Sequence, residues 1–243
     1  MSSTNVNLSK NDSSDKSKRF RRTRAALERD VDKAINQLLE EIGFANITIA
    51  AITERADIEA SVLYRRFANL EEIINHYTHN YDYWFSNIAD AMPKDLSHKE
   101  TYRWIMINLA RALFKNKGMQ KLLIWELSED NASTRRTARL REIMNEPLIR
   151  MLELVFKDIE IDINAVCAHT ISGIYYSILH ADRSHFCSVD FNGRKGLQRL
   201  ESALNTHVDL LFSLIDKEAE KQALISKLRA EGVSDEIIKK CFA

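Results

Sequence analysis

"GFANITIAAITERADIEASVLYRRFANLEEI", residues 43–73, carries two short apolar runs with a break between them, and its reading decides the fold. Gly43 supplies a helix stop, and Phe44 follows it as an anchor for burial. Thr48 can accept a hydrogen bond from a free N–H in the first turn of a helix "TIAAITERA". A break at "DIE" leads to a second short helix, "ASVLYRRF", in which Val62, Leu63 and Phe67 can face inward. Asn69 with Glu72 three residues later makes a capping-box-like start for a long fourth helix, expected over 69–92 before Pro93. Upstream, Leu27, Val31, Ala34, Ile35, Leu38, Leu39 and Ile42 recur at intervals of three and four, one face of a helix from about 22 to 42. A long helix, two short ones and another long one make a helix-turn-helix plan, whose second short helix can enter a major groove.

The rest of the chain extends this helical pattern. Six Gly and two Pro in 243 residues fall well below the usual ~7% and ~5%, and no Val/Ile/Thr alternation marks strands, so the fold class is all-α. Further helices are expected over about 97–115, 119–128, 133–156, 162–182 and 194–216, with a terminal pair over 218–242. Pro147 should kink or split its helix. The longest interior loop is "ADRSHFCSVDFNGRKG", and Gly232 with Ser234 should stop one terminal helix and cap the next. With 45% hydrophobic residues the chain can build a core, and with a net charge of zero any case for nucleic acid rests on where the charges sit.

Three cysteines, Cys167, Cys187 and Cys241, form no CxxC pair, and no run approaches ~18 uninterrupted apolar residues, so reduced thiols, no membrane span and a cytoplasmic location are expected. Gly-rich phosphate loop, nucleophile elbow and HExxH are all missing, which argues against an enzyme and against a cofactor. His169 and His180 stand ~16 Å apart along a helix, too far for one ion, so no metal is expected.

Residues 43–73 closely resemble the N-terminal DNA-binding domain of the TetR family of bacterial transcriptional regulators. Gly43, Phe44, Thr48, Ile52, Ala56, Ile58, Leu63, Tyr64, Phe67 and Glu72 stand in register with that family's motif across some thirty residues without a gap. The resemblance implies a helix-turn-helix head, a helical body that binds a small molecule, and a homodimer formed by the last long helices, here about 162–182 and 194–216. It also implies phosphate contacts from Thr48 and Tyr64. Several positions depart from the family: Asp57 replaces its usual Gly, Glu59 a Ser or Thr, Val62 a small polar residue and Arg66 a His.

The departures shift the expected source of DNA affinity. From Ala25 to Ala68 there are five basic and eight acidic residues, so attraction to phosphate falls to the arginines at the edges. Arg65 and Arg66 can clamp phosphate or read guanine, and Ala60 and Ser61 sit where a base edge comes close. Asp57 and Glu59 are expected in the first turn of the second short helix, favourable to its dipole. The basic run "KSKRFRRTR" brings Arg19, Arg21, Arg22 and Arg24 where an arm can enter a minor groove.

The expected organisation is a disordered tail over 1–18, the head over 19–68 with its recognition motif at about 48–67, a ligand-binding and dimerisation domain over 69–217, and an extension over 218–243. Aromatic candidates for a ligand cavity are Tyr83, Trp84, Phe85, Tyr102, Trp104, Phe114 and Trp125. The family's pocket helices favour Trp104 and Trp125, with an unknown, hydrophobic ligand. The functional expectation is a ligand-responsive homodimeric repressor on palindromic double-stranded DNA. The alternative is a protein-interaction regulator that keeps the fold but has lost sequence-specific DNA contacts.

Overall fold

The computed structural model describes residues 23–82, 84 and 86–242, and these form eleven α-helices, with one isolated antiparallel bridge between Phe186 and Val189. Residues 1–22, which hold the expected tail and most of the basic arm, lie outside the described residues, as do Tyr83 and Phe85.

The head begins with α1 (Arg24–Glu41), whose first turn is capped by the Thr23 hydroxyl accepting the Ala26 N–H at 3.2 Å. Its buried stripe, Leu27, Val31, Ala34, Ile35, Leu38 and Leu39, is the one the periodicity marks except for Ile42, which follows the helix and is exposed. Gly43, at φ 74°, takes the backbone into a conformation that costs a Cβ-bearing residue strain, and a single 3-10 turn (Phe44–Asn46) follows. α2 (Ile49–Ala56) is capped by Thr48, whose hydroxyl accepts the Ala51 N–H at 3.1 Å. α3 (Ala60–Tyr64) buries Leu63, and Phe67 just beyond it is 1% exposed.

α4 (Leu70–His79) starts as the sequence indicates: Asn69 accepts the Glu72 N–H at 2.9 Å, while the Glu72 carboxylate reaches back one residue further than a capping box, to the Ala68 N–H. It does not continue to residue 92. After His79 the backbone tightens into three-residue turns, with Asn80, Tyr81, Asp82 and Trp84 N–H groups donating to Tyr77, Thr78, His79 and Tyr81, and helix resumes only as the short α5 (Ser86–Asp90). Asn80 donates to Asp32 and the Tyr81 hydroxyl to Asn36, both on α1, while Asp82 is held by Arg136 of α8, so the residues after His79 are fixed by partners on two other helices.

The body is built around α6 (His98–Lys115), whose Tyr102, Met106, Ala110 and Leu113 are fully buried. Against it pack α7 (Lys117–Ser128), α8 (Ala132–Val155), α9 (Ile163–Leu179) and α10 (Gly193–Ala230). α8 runs unbroken through Pro147. The carbonyl that loses its partner there belongs to Ile143, which lies on the exposed face where water can serve it. α10 is also unbroken, 38 residues or ~57 Å long, so the expected boundary at 217 falls inside a helix. Only α11 (Asp235–Phe242) is a separate terminal element; it folds back after Gly232 and buries Ile238 as α10 buries Ile225.

Head and body meet through aromatic and hydrogen-bonded contacts. The Phe44 ring stacks on Trp125 of α7, centroids 4.6 Å apart, and meets Tyr77 of α4 edge-on. The Tyr77 hydroxyl donates to Asn36 at 2.5 Å, and Ser133 of α8 donates to Asn75 of α4. Phe44 therefore belongs to the head's core and to the junction at once. Phe44→Ala should lower the unfolding free energy by about 3–5 kcal/mol, measured by urea denaturation; a loss under about 1 kcal/mol would show that the stack adds little to either core.

Candidate nucleic-acid interface

The α2–α3 unit presents two faces. Inward go Ile52, Leu63 and Phe67, while Thr48, Ala50, Ala60, Ser61, Tyr64 and Arg65 are exposed, Tyr64 at 54% although its ring is apolar. The turn between the helices carries Asp57 at φ 50°, ψ 55°, ending α2 in the left-handed region. Asp57 is therefore not in the first turn of α3; it terminates α2 where a Gly would be least strained, and Asp is among the few residues that tolerate the conformation. Glu59 stands immediately before α3, at its N-cap position, and accepts a long bond from the Ser61 hydroxyl at 3.4 Å.

Most of the head's described arginines are committed to carboxylates of α1. Arg55 makes a two-pronged pair with Glu41, at 2.8 and 2.6 Å. Arg66 donates from Nε to Glu28 at 2.7 Å and lays its guanidinium over the Phe67 ring at 4.6 Å, tying the end of α3 to α1. Arg24, the one described member of the basic arm's arginines, also reaches Glu28, at 3.1 Å. The hydrogen bond from Arg66, then that from Arg24, holds the Glu28 carboxyl below its ordinary value of 4.5. Arg65 is exposed and makes no ion pair among the described residues. Of the two arginines that close the motif, one is a structural tie and one is open to solvent.

Residues 33–77 match the family model for bacterial regulatory proteins of the tetR family. The chain carries a TetR-family DNA-binding head. Two solved structures share the fold of the longer chain: a putative TetR-family transcriptional regulator from Vibrio parahaemolyticus, at TM-score 0.51 and 16% identity over 73% of this chain and 96% of its own. The other is a TetR-family transcriptional regulator from Haemophilus influenzae RD, at TM-score 0.51 and 14% identity over 75% of this chain and 98% of its own. No curated protein matches the chain in sequence. Among the described residues no helix is long and apolar enough to cross a membrane.

Behind the TetR-type head, the body contains a narrow cavity of about 20 Å³ between the α4–α5 segment, α6, α8 and α9. Neither Trp104 nor Trp125 lines it; Trp125 is occupied by its stack on Phe44, and from α6 the lining takes Ile105, Met106 and Leu109 rather than the neighbouring Trp104. Trp84 lines it instead, together with Asp82 and Arg141, polar residues that helical periodicity did not distinguish from solvated surface. For Asp82 and Trp84 the signal was the cluster of polar and aromatic residues in "NYDYWF", which reads as continuous helix until the tertiary contacts are known; Arg141, on α8, had none.

Two outcomes follow for the head. Asp57→Gly should raise the unfolding free energy by about 0.5–1 kcal/mol through relief of the left-handed strain, net of Gly's larger chain entropy; an unchanged or lowered urea midpoint would refute that strain. For Glu28, whose folded pKa is depressed, the stabilisation is complete above its ordinary 4.5 and disappears as pH falls through the folded pKa. The stability gap between the wild type and Glu28→Gln should accordingly close in acid, as followed by denaturation at a series of pH values.

Proposed function

We propose that this chain is a ligand-responsive, homodimeric DNA-binding regulator that acts as a repressor on a palindromic operator. The observation that carries the reading is the exposed row on α2–α3. Thr48, Ser61 and Tyr64 offer hydroxyls, Ala60 leaves room for a base edge, and Arg65 offers an uncommitted cation, all on the side opposite Leu63 and Phe67. In this reading Arg65 contacts DNA directly, and Arg66 acts mainly by positioning the end of α3 through Glu28. Arg19, Arg21 and Arg22 supply an arm to the adjacent minor groove, while Arg24, the first residue of α1, is engaged with Glu28.

Dimerisation is supported by α9, whose exposed side mixes small and apolar residues with Asn164, His169 and Ser172. One side packs on α6 and α8, yet Ala165, Ala168, Gly173 and Tyr176 remain exposed on the other. On α10, Ala203, Thr206 and Leu210 are exposed as well. Two such helices from each of two subunits would make a four-helix interface, and its two-fold symmetry would suit half-sites about one DNA turn apart.

A second reading, a protein-interaction regulator without sequence-specific DNA contacts, is favoured by one observation. Asp57 and Glu59 sit exposed beside the recognition helix while Arg55 and Arg66 are engaged with α1. Selection from random duplex DNA at low salt separates the two readings: the repressor enriches a palindrome, and no enrichment supports the alternative. Arg65→Ala should weaken DNA binding about tenfold or more with the stability unchanged, whereas Arg66→Ala should lower stability as well. Removing residues 1–22 should flatten the dependence of affinity on salt if the arm touches phosphate. A Cβ at Gly173 would meet no atom within 4 Å in the subunit, so Gly173→Arg should leave the fold intact and convert a dimer to a monomer in light scattering.

A further inference from the structure

The body's cavity combines an apolar wall with a buried oxygen that has no partner. Trp84, Met106, Met144, Leu148 and Ile171 supply the wall, and Asp82 contributes a carboxylate. That side chain is 5% exposed. Its Oδ2 accepts from Arg136 Nη1 at 2.5 Å and bonds His79 Nδ1 at 2.6 Å, while Oδ1 is buried with no hydrogen-bond partner. Arg136 and His79, which do not line the cavity, occupy Oδ2, so Oδ1 is the oxygen left for a guest.

The charges around the space are already balanced. Arg136 pairs with Asp82, and Arg141 of the lining pairs with Glu126. A guest with a net charge would bring an uncompensated ion into a narrow site whose lining is mostly apolar, with Arg141, Asn145 and Tyr175 as its polar members beside Asp82, at a desolvation cost of several kcal/mol. A neutral guest with an O–H or N–H would instead satisfy the one orphaned acceptor, which is costly to leave unpaired. The geometry points to a ligand site here for a small, uncharged, apolar molecule bearing a hydrogen-bond donor, with Asp82 Oδ1 as its acceptor.

This inference rests on the ligand-responsive reading proposed above and gives it a physical route. At about 20 Å³ the cavity has room for roughly one water, so a ring-sized guest binds only a conformation whose wall has moved. Met106 and Met144 can repack by changing rotamer. The rest of the wall includes Asp82 and Trp84, in the segment that leaves α4, and Arg136 grips that segment and α4's Thr78 together, from Nη1 and Nη2. A guest that displaces Asp82 therefore loosens the hold of α8 on the end of α4, and it shifts the molecule only by its preference for that state.

The test uses the full-length protein and four probes of one size: phenol, toluene, benzylamine and benzoate at pH 7, followed by ligand-observed NMR. Phenol should bind about tenfold or more tighter than toluene, the value of a hydrogen bond to a charged acceptor, and tighter than either ion. Asp82→Ala should reduce phenol to the level of toluene, and Leu148→Trp should block both. Because the ratio of phenol to toluene is read on the unmodified protein, misfolding of a variant leaves the test intact. Toluene binding as well as phenol, an ion binding better, or no phenol binding up to millimolar concentration would overturn the assignment. No DNA is present, so failure of the repressor reading leaves this result standing. If phenol binds with the expected ratio while affinity for a selected DNA is unmoved, the site stands and the ligand-responsive reading falls.

Discussion

One guanidinium, that of Arg136 on α8, donates to Thr78 and Asp82, in the last turn of α4 and the segment after it. α4 has only ten residues, a length at which a helix owes its persistence to what it packs against rather than to its own hydrogen bonds. Its N-terminal end is set by Asn69 and Glu72, its middle by the Tyr77 hydroxyl on Asn36, and its C-terminal end by Arg136. The head's orientation on the body depends on those three fixings, together with the Phe44–Trp125 stack. Since the last fixing shares the Asp82 carboxylate with the body's cavity, the geometry that positions the head and the geometry of the cavity are not independent.

In the proposed reading, a surface that faces DNA lies on a stretch, residues 24–68, with six basic and eight acidic residues. Glu28 and Glu41 are each neutralised by arginines of the head, which lowers their cost near phosphate while spending Arg24, Arg55 and Arg66. What remains on the outer face is a set of hydroxyls, small side chains and Arg65, with two carboxylates at the turn. Such a surface has weak long-range attraction for a polyanion and relies on short-range contacts and on cations supplied from elsewhere in the chain.

Local chemistry in the sequence marked much of the head. The Gly43 stop, the Thr48 and Asn69 caps and the buried stripe of α1 all depend on residues within four positions of one another, so periodicity and capping rules reach them. The break after His79 was not legible, and the groups that bond the residues after it, Asp32 and Asn36 on α1 and Arg136 on α8, lie more than forty residues away in sequence. The same distance hid the role of Arg66, which looks identical to Arg65 until α1 brings Glu28 beside it. Trp125 was drawn away from the cavity by a ring, Phe44, that the sequence marks only as buried.

By itself the sequence determined an all-helical chain with a TetR-type helix-turn-helix head, since side-chain periodicity, caps and glycine stops act within a turn or two of backbone. The tertiary structure alone decided which arginine stays open, where α4 ends and which residues enclose the cavity. Those outcomes turn on which charged and aromatic groups meet across the packed helices, and hydrogen bonds and ion pairs, unlike hydrophobic periodicity, carry no signature until both partners are in place.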